Sequence, residues 1–415
     1  MMLLARLLNK CVSAGRLMIL DADGVRHIIG QQRDGAPDVI VRLHDRAAQR
    51  RLFVNPKLAF GELYMDGRLT VEFGSLYNLL DMLCASVDEL EKNTLVGQIG
   101  TAYRMLTRRL HQYNPTYRAQ RNVAHHYDLS GRLYDLFLDK DRQYSCAYFE
   151  NDSDTIEDAQ RHKKRHIAAK LLLEPGQKVL DIGCGWGGLA LYLAREGKGD
   201  VTGLTLSTEQ HEVATSRAKK AKLANRVRFK LQDYRDEANL YDRIVSVGMF
   251  EHVGVNHYRE FFRKMSALLK ENGVALLHTI GRAGPPAAPN PWLNKYIFPG
   301  GYTPALSEIM TAIEKEKLWV TDVEVLRLHY ARTLRAWYER FMTNRDEIRA
   351  LYDERFCRMW EFYLIGCELA FRRLDQVVFQ IQITRSRDIV PLTRNYIELW
   401  ETRYRSKKEK SRQPS

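Results

Sequence analysis

Lys178-Val-Leu-Asp-Ile-Gly-Cys-Gly-Trp-Gly-Gly188 decides the reading of this chain. Val179–Ile182 is a short apolar strand with Asp181 near its end. Gly183, Gly185, Gly187 and Gly188 follow, and Leu189–Arg195 reads as a helix. Glycines at such a turn let the backbone approach a ligand closely. Open α/β sheets bind ligands at the carboxyl ends of their parallel strands. The turn is therefore read as the site of an adenosine-bearing cofactor. Gly183, Gly185 and Gly188 also satisfy the G-x-G-x-x-G spacing, so this stretch alone leaves NAD open.

Working outward, strand-like Val201–Leu206, Val227–Leu231, Ile244–Val247 and Val274–Ile280 alternate with helical Glu209–Leu223 and Tyr258–Leu269. That alternation implies a parallel sheet built from right-handed crossovers. Gly281–Pro304, rich in Gly and Pro, interrupts it. A helical block is expected from Leu306 to about Ala370, and Val377–Thr384 alternates as a strand. Upstream, Arg16–Leu20 and Val25–Ile29 flank the hairpin turn Asp21-Ala-Asp-Gly24. Val39–Leu43 reads as a strand, and Leu58–Met65 and Leu76–Leu83 as helices. The fold class is α/β: a Rossmann-like domain with helical substrate-binding insertions, plus a small mixed α/β N-terminal domain. The expected boundaries are 1–95 for the N-terminal domain, 96–121 for a basic helical linker, 122–404 for the catalytic domain and 405–415 for a charged disordered tail.

A chain of 415 residues exceeds what one core usually organises. No apolar run reaches 18 residues, so no transmembrane helix is expected. Met1–Val12 carries Arg6 and Lys10 and reads as an amphipathic first helix rather than a secretory signal. The six cysteines form no C-x-x-C pair and no zinc-spaced cluster, which points to reduced thiols and no metal. The net charge of +13 implies an anionic partner. Basic residues gather at Arg104, Arg108, Arg109, Arg118, Arg121 and Arg132, again at Arg161, Lys163, Lys164 and Arg165, and in the tail. No zinc finger, RRM signature or basic zipper is present, so an anionic membrane surface is favoured over nucleic acid. In the linker, Tyr103, Leu106 and Leu110 share a face opposite arginines, as in a docked connector or a membrane-contacting helix.

Asp181 precedes its glycines, and this Asp-x-Gly-x-Gly order resembles the first motif of S-adenosylmethionine-dependent methyltransferases. The resemblance becomes specific over a set of ordered motifs. These are His125-His-Tyr-Asp-Leu-Ser130, Gln143-Tyr-Ser-Cys-Ala-Tyr-Phe149, Gly203-Leu-Thr-Leu-Ser-Thr-Glu-Gln210 and Leu231-Gln-Asp-Tyr-Arg-Asp236. Asp242–Gly254, Leu277-His-Thr-Ile-Gly281, Tyr296-Ile-Phe-Pro-Gly300 and Tyr330-Ala-Arg-Thr-Leu-Arg-Ala-Trp-Tyr338 complete the set. Across residues 122 to 385 the chain resembles the cyclopropane-fatty-acyl-phospholipid synthases of the mycolic acid cyclopropane synthase-like family.

The resemblance implies S-adenosylmethionine as cofactor. Tyr144 and Ser145 would touch it from a lid-like segment. Gly183 and Gly185 would line its methionine and ribose, within a loop that includes Asp181 and Gly187. Thr205 and Gln210 would serve the ribose, and Asp233 and Tyr234 would flank the adenine. A bound bicarbonate is also implied, held by Cys146, Glu251, His278, the Ile280 backbone and Tyr330. Cys367 matches a catalytic candidate of the family, although a thiol on a mostly apolar helix is more often inert packing. The implied substrate is a phospholipid acyl chain at an anionic membrane surface. The implied enzyme is a cytoplasmic homodimer, peripherally associated with the inner face of the cytoplasmic membrane.

Methylating an alkene leaves a carbocation that the site must stabilise and then deprotonate. Aromatic faces can stabilise a cation. Tyr144, Tyr148, Phe149, Phe250 and Tyr330 are candidates, with core packing the competing reading for Phe149 and Phe250. His252 is a rival base, and His125 and His126 could contact lipid phosphate or cap a helix. Methyl-branched or methylene products from the same cation are the alternative outcome, and a non-enzymatic lipid-binding protein is a third.

Overall fold

The computed structural model describes residues 15–31, 38–85 and 129–405. The first helix, the basic linker, His125, His126 and the tail from 406 onward lie outside the described residues. The chain divides into two compact units, and neither is contiguous in sequence. The smaller holds the described residues up to Ala85 together with 287–299 and 334–376. The larger holds 129–286, 300–333 and 377–405.

The smaller unit is a four-stranded sheet covered by helices. β1 (Gly15–Leu20) and β2 (Arg26–Gln31) form the expected hairpin. Its turn is set by Asp21, whose carboxylate accepts the N–H groups of Asp23 and Val25 at 3.0 and 2.9 Å. β3 (Asp38–Leu43) runs parallel to β1, and β4 (Leu69–Phe73) is antiparallel to β3. Sequence reading passed over β4: only Leu69 in it is buried, so it lacks a strong apolar alternation. Leu17, Ile19, Val39 and Val41 meet Leu63, Leu79 and Leu80 in the core. Ile365 and Leu369, from the helix Glu354–Arg373, complete that core.

The larger unit is a seven-stranded sheet. Its strands are β5 (Lys178–Ile182), β6 (Asp200–Thr205), β7 (Val227–Leu231), β8 (Tyr241–Val247), β9 (Leu269–Arg282), β10 (Trp319–Val325) and β11 (Gln376–Thr384). They are ordered β10-β11-β9-β8-β5-β6-β7. β5 through β9 pair in parallel, and β10 and β11 are antiparallel. The chain leaves β5 toward β6 on one side, while β8 flanks it on the other. The glycine turn therefore sits at the switch point of the sheet. Ile167, Leu189, Leu193, Val201 and Trp400 form one core. Phe250, Tyr258, Phe261, Met265 and Ile309 belong to another.

Two expectations are corrected. The block after Leu306 is not wholly helical, because β10 interrupts it. This is an edge strand with Asp322 and Glu324 among its residues, so its alternation is not an apolar one. The basic cluster Arg161–Arg165 is not a surface patch either. It lies on the helix Ile156–Lys170, where Lys163, Lys164 and Arg165 are all buried. Lys164 pairs with Asp141, and Arg165 with Glu150 at 2.6 Å.

Gly187 starts the helix Gly188–Arg195 at φ +80, and a Cβ there would lie 2.5 Å from the Phe229 ring and 3.0 Å from Ala214. Gly187→Ala should combine left-handed strain with overpacking and lower stability by about 2–4 kcal/mol. Urea denaturation measures it, and an unchanged midpoint would contradict this packing.

Candidate active site

A cleft opens at the carboxyl ends of β5, β6, β7 and β8. Asp181, Gly183 and Gly185 line it from the glycine turn, Thr205 and Gln210 from the end of β6 and the following helix, and Asp233 and Tyr234 from the loop after β7. Tyr144 and Ser145 come from the upstream segment. Of the cofactor candidates, only Gly187 is absent from the wall, where its place is in helix packing. Met249, Val253, His252, Trp186 and Gln232 also line the cleft. Trp186 and Gln232 lie inside the quoted motifs, but the sequence assigned them no role.

The local folding follows from hydrogen bonds. The N–H groups of Gly183 and Cys184 both donate to the Leu204 carbonyl, at 3.0 and 2.9 Å, and tie the turn to β6. Gly183 adopts φ +81, and a Cβ on it would lie 2.8 Å from Met249. Ser207 caps the helix Thr208–Lys220, and Thr205 Oγ1 donates to Gln210 Oε1 at 2.8 Å. Arg235 grips the Asp233 carboxylate through Nε and Nη2, at 2.9 and 2.7 Å.

Asp181 is 1% exposed, and its Oδ2 has no hydrogen-bond partner among the described residues. Burial pushes its carboxyl up to about 7, and the charge of Lys163 opposes that rise. An acid in this position suits a cationic ammonium group.

The six residues assigned to chemistry do not line this cleft. Five belong to the same unit, and Cys146, Glu251 and His278 adjoin the wall residues Ser145, His252 and Val247. Glu251 sits in the short 3-10 turn Phe250–His252 after β8. Its Oε1 accepts the Ile280 N–H of β9 at 2.6 Å. Gly248 N donates to the His278 carbonyl at 2.9 Å, so the β8 loop is stitched to β9 beside Val247, which pairs with His278. Gln380 of β11 lies 3.2 Å from His278 Nδ1. Burial pushes Glu251 up to about 7 and His278 well below the usual histidine range. Glu251 Oε2 has no partner among the described residues. Cys146 is buried as a neutral thiol, raised by burial, and donates to the Ala147 carbonyl at 3.3 Å. Tyr330 is buried near the start of the helix His329–Thr343. Cys367 lies in the other compact unit, where burial pushes its thiol up to about 12. It is not a ready nucleophile.

The aromatic candidates divide. Phe250 is fully buried against Tyr258 and Phe261. Phe149 has the Arg332 guanidinium 4.2 Å over its ring, and Tyr148 stacks on both His166 and His329. Those faces are already taken. Tyr144 remains on the cleft wall. His252 also lines the cleft, and burial pushes it down to about 4.

A model of the mycolic acid cyclopropane synthetase family matches residues 114–381. The cyclopropane-fatty-acyl-phospholipid synthase of Escherichia coli strain K12 is 39% identical over 353 residues, which cover 85% of this chain and 89% of the relative. Tuberculostearic acid methyltransferase UfaA1 of Mycobacterium tuberculosis is 34% identical over 403 residues, covering 92% of this chain and 90% of the relative. Among solved structures, the mycolic acid cyclopropane synthase CmaA1, complexed with SAH and CTAB, aligns with a TM-score of 0.61 at 33% identity. That alignment covers 66% of this chain and 99% of that one. The matched span contains every residue placed in the cleft and beside it. The chain belongs to the mycolic acid cyclopropane synthetase family.

Proposed function

We propose that this chain is an S-adenosylmethionine-dependent cyclopropane-fatty-acyl-phospholipid synthase. It transfers a methylene group across the cis double bond of unsaturated acyl chains in membrane phospholipids. The observation that carries this reading is the buried carboxyl of Glu251, held by the Ile280 amide beside a neutral His278 and next to the cofactor cleft. Methylating a hydroxyl needs a base only for the nucleophile's own proton, whereas closing a ring on a methylated alkene needs one for a proton of the new methyl.

The alkene's π electrons take the methyl carbon, and the carbon–sulfur electrons stay on sulfur. S-adenosylhomocysteine results, and a neighbouring carbon is left cationic. A proton then leaves the new methyl, and its electron pair closes the ring. Water must stay out, because it would trap the cation. Tyr144 offers an aromatic face at the cleft wall. Neither His252 nor His278 suits the role of final proton holder, because burial disfavours both imidazolium ions. Glu251 has a proton affinity matched to neutral pH.

The residues present fit bicarbonate. Glu251 Oε2 is a buried oxygen that lacks a partner among the described residues, and a carboxyl raised to about 7 can share a proton with a second anion. Cys146, Glu251, His278, the Ile280 carbonyl and Tyr330 would hold it. Ile280 contributes its carbonyl because its N–H already serves Glu251. When bound, bicarbonate would supply a weak base for the departing proton.

The substrate lies in a bilayer, and the reading extends to a peripheral, cytoplasmic homodimer at an anionic membrane. The net charge of +13 supports it, each Lys or Arg close to such a surface adding about 1 kcal/mol. Phe53 and Val54 are exposed beside Arg50 and Arg51 in the smaller unit, which suits an anionic lipid surface. Among the described residues, no helix is long and apolar enough to cross a membrane. The name of UfaA1 keeps a methyl-branched or methylene product as the second reading.

Mass spectrometry of lipids from cells expressing the protein should show unsaturated phospholipid chains gaining one CH2 unit. No gain with folded protein would refute the activity, and chromatography of the fatty esters separates ring from methylene. Glu251→Gln should keep cofactor affinity and lose turnover by about 100-fold or more, the usual scale of proton-transfer catalysis. A collapse of affinity instead would remove Glu251 from the chemistry. A Cβ on Gly185 would meet no neighbour within 4 Å and would enter the cleft. Gly185→Ala should therefore cost only about 1–2 kcal/mol of stability, from its positive φ, while cofactor binding, read by calorimetry, falls severely. Unchanged binding would move the cofactor elsewhere.

A further inference from the structure

We propose that Asp141 is a specificity-determining residue of the cofactor cleft: its carboxylate, clamped by Lys164 and Arg217 against the start of the helix Gly188–Arg195, fills the place where a dinucleotide's phosphates would sit and so excludes them. This rests on the reading that the cleft holds S-adenosylmethionine. It accounts for a turn whose G-x-G-x-x-G spacing would otherwise suit NAD.

Where a glycine turn leads from a parallel strand into a helix, the helix start carries partial positive charge and unpaired N–H groups. Dinucleotide-binding folds offer that place to pyrophosphate. Here the protein fills it with its own acid. A Cβ on Gly188, the first helical residue, would lie 2.6 Å from Asp141 Oδ2 and would also strike Gln143 Nε2. Gly188 is therefore clearance for the segment 141–143.

In the dinucleotide fingerprint, the glycine at this spacing lets helix and strand pack closely. In this chain the close packing falls to Gly187, against Phe229 and Ala214. The match to the fingerprint is thus one of spacing and not of role. Gln143 lines the cleft, as do Gly185, Trp186 and Leu189, while Gly187 and Gly188 do not. The cleft stops short of the helix start.

The carboxylate is held from two helices. Lys164, on Ile156–Lys170, donates to Asp141 Oδ2, and Arg217, on Thr208–Lys220, donates through Nη2 to Oδ1. The same guanidinium donates through Nη1 to the Trp186 carbonyl at 2.7 Å and the Asp141 carbonyl at 3.2 Å, which ties the segment to the glycine turn. Burial would raise the Asp141 carboxyl, but Lys164 and Arg217 outweigh burial and hold it below the usual carboxylate range. Two cations and a helix start are the parts of a phosphate site. Asp141 takes up the donors of both cations. S-Adenosylmethionine has no phosphate and does not compete for them.

The test measures adenosine and adenosine diphosphate (ADP) in competition with S-adenosylhomocysteine, read by calorimetry. The two probes share base and ribose, so the ratio of their affinities isolates the phosphates. In the wild type, ADP should bind no better than adenosine. Asp141→Ala frees Lys164, Arg217 and the helix start, and ADP should gain about tenfold or more over adenosine, the scale of one hydrogen bond to a charged group. Adding Arg217→Met should remove most of that gain. A merely structural Asp141 would weaken both probes by the same factor, and an unchanged ratio overturns the proposal. A wild type that prefers ADP overturns it too, as does a gain that survives Arg217→Met undiminished. Asp141→Ser supplies the same truncation if the alanine variant does not fold. Absence of S-adenosylhomocysteine binding by the wild type would instead overturn the cofactor reading on which the proposal rests.

Discussion

Exclusion of water is the constraint on which the catalytic unit depends. Burial drives six titratable groups in and beside the cleft toward their neutral forms. It pushes Asp181 and Glu251 up to about 7, His252 down to about 4, His278 well down, and the thiols of Cys146 and Cys184 up. One physical cause thus keeps these six groups neutral or barely charged near neutral pH, beside the Arg235–Asp233 ion pair of the cleft wall. A carbocation needs such surroundings, since any strong nucleophile or water would capture it. The same dryness strengthens each hydrogen bond that remains. The bond from Ile280 N to Glu251 therefore fixes a carboxyl that can handle a proton near neutral pH.

The sheet is legible in the sequence where its strands are apolar and its turns carry glycine. β5, β6, β8 and β9 have buried, short apolar runs, and the alternation with helices orders them. β4 and β10 are hidden because they are largely unburied, and half-solvated strands need no apolar signature. The assembly of the smaller unit is hidden for another reason. Ile365 and Leu369 complete a core begun some three hundred residues earlier, and no local pattern announces so distant a contact.

Charge is where the sequence misleads most. Arg161-His-Lys-Lys-Arg165 looks like a solvated basic face. Its partners lie outside the helix, Asp141 for Lys164 and Glu150 for Arg165, and Lys170 further along the same helix reaches Glu324 at 2.5 Å. Each partner sits in a segment that looks unremarkable alone. The net charge therefore counts cations that never face a membrane. The aromatic residues carry the same lesson, because Phe149 and Tyr148 have their faces covered by Arg332, His166 and His329.

The cofactor cleft and the reacting groups differ in how locally they are encoded. Loops after four neighbouring strands and the segment 142–145 build the cleft, and nine of the ten cofactor candidates named from motifs line it. The chemistry depends instead on strand order. Glu251 follows β8, His278 and Ile280 belong to β9, and Gln380 meets His278 only because β11 lies beside β9. With the Gln380 amide donating to Nδ1, a neutral His278 carries its proton on Nε2, so its other ring nitrogen is a donor. A donor there orients an anion or a carboxyl and cannot itself take the proton. The contacts that orient Glu251 and His278 thus arise from the pairing of β8, β9 and β11, which no single motif contains.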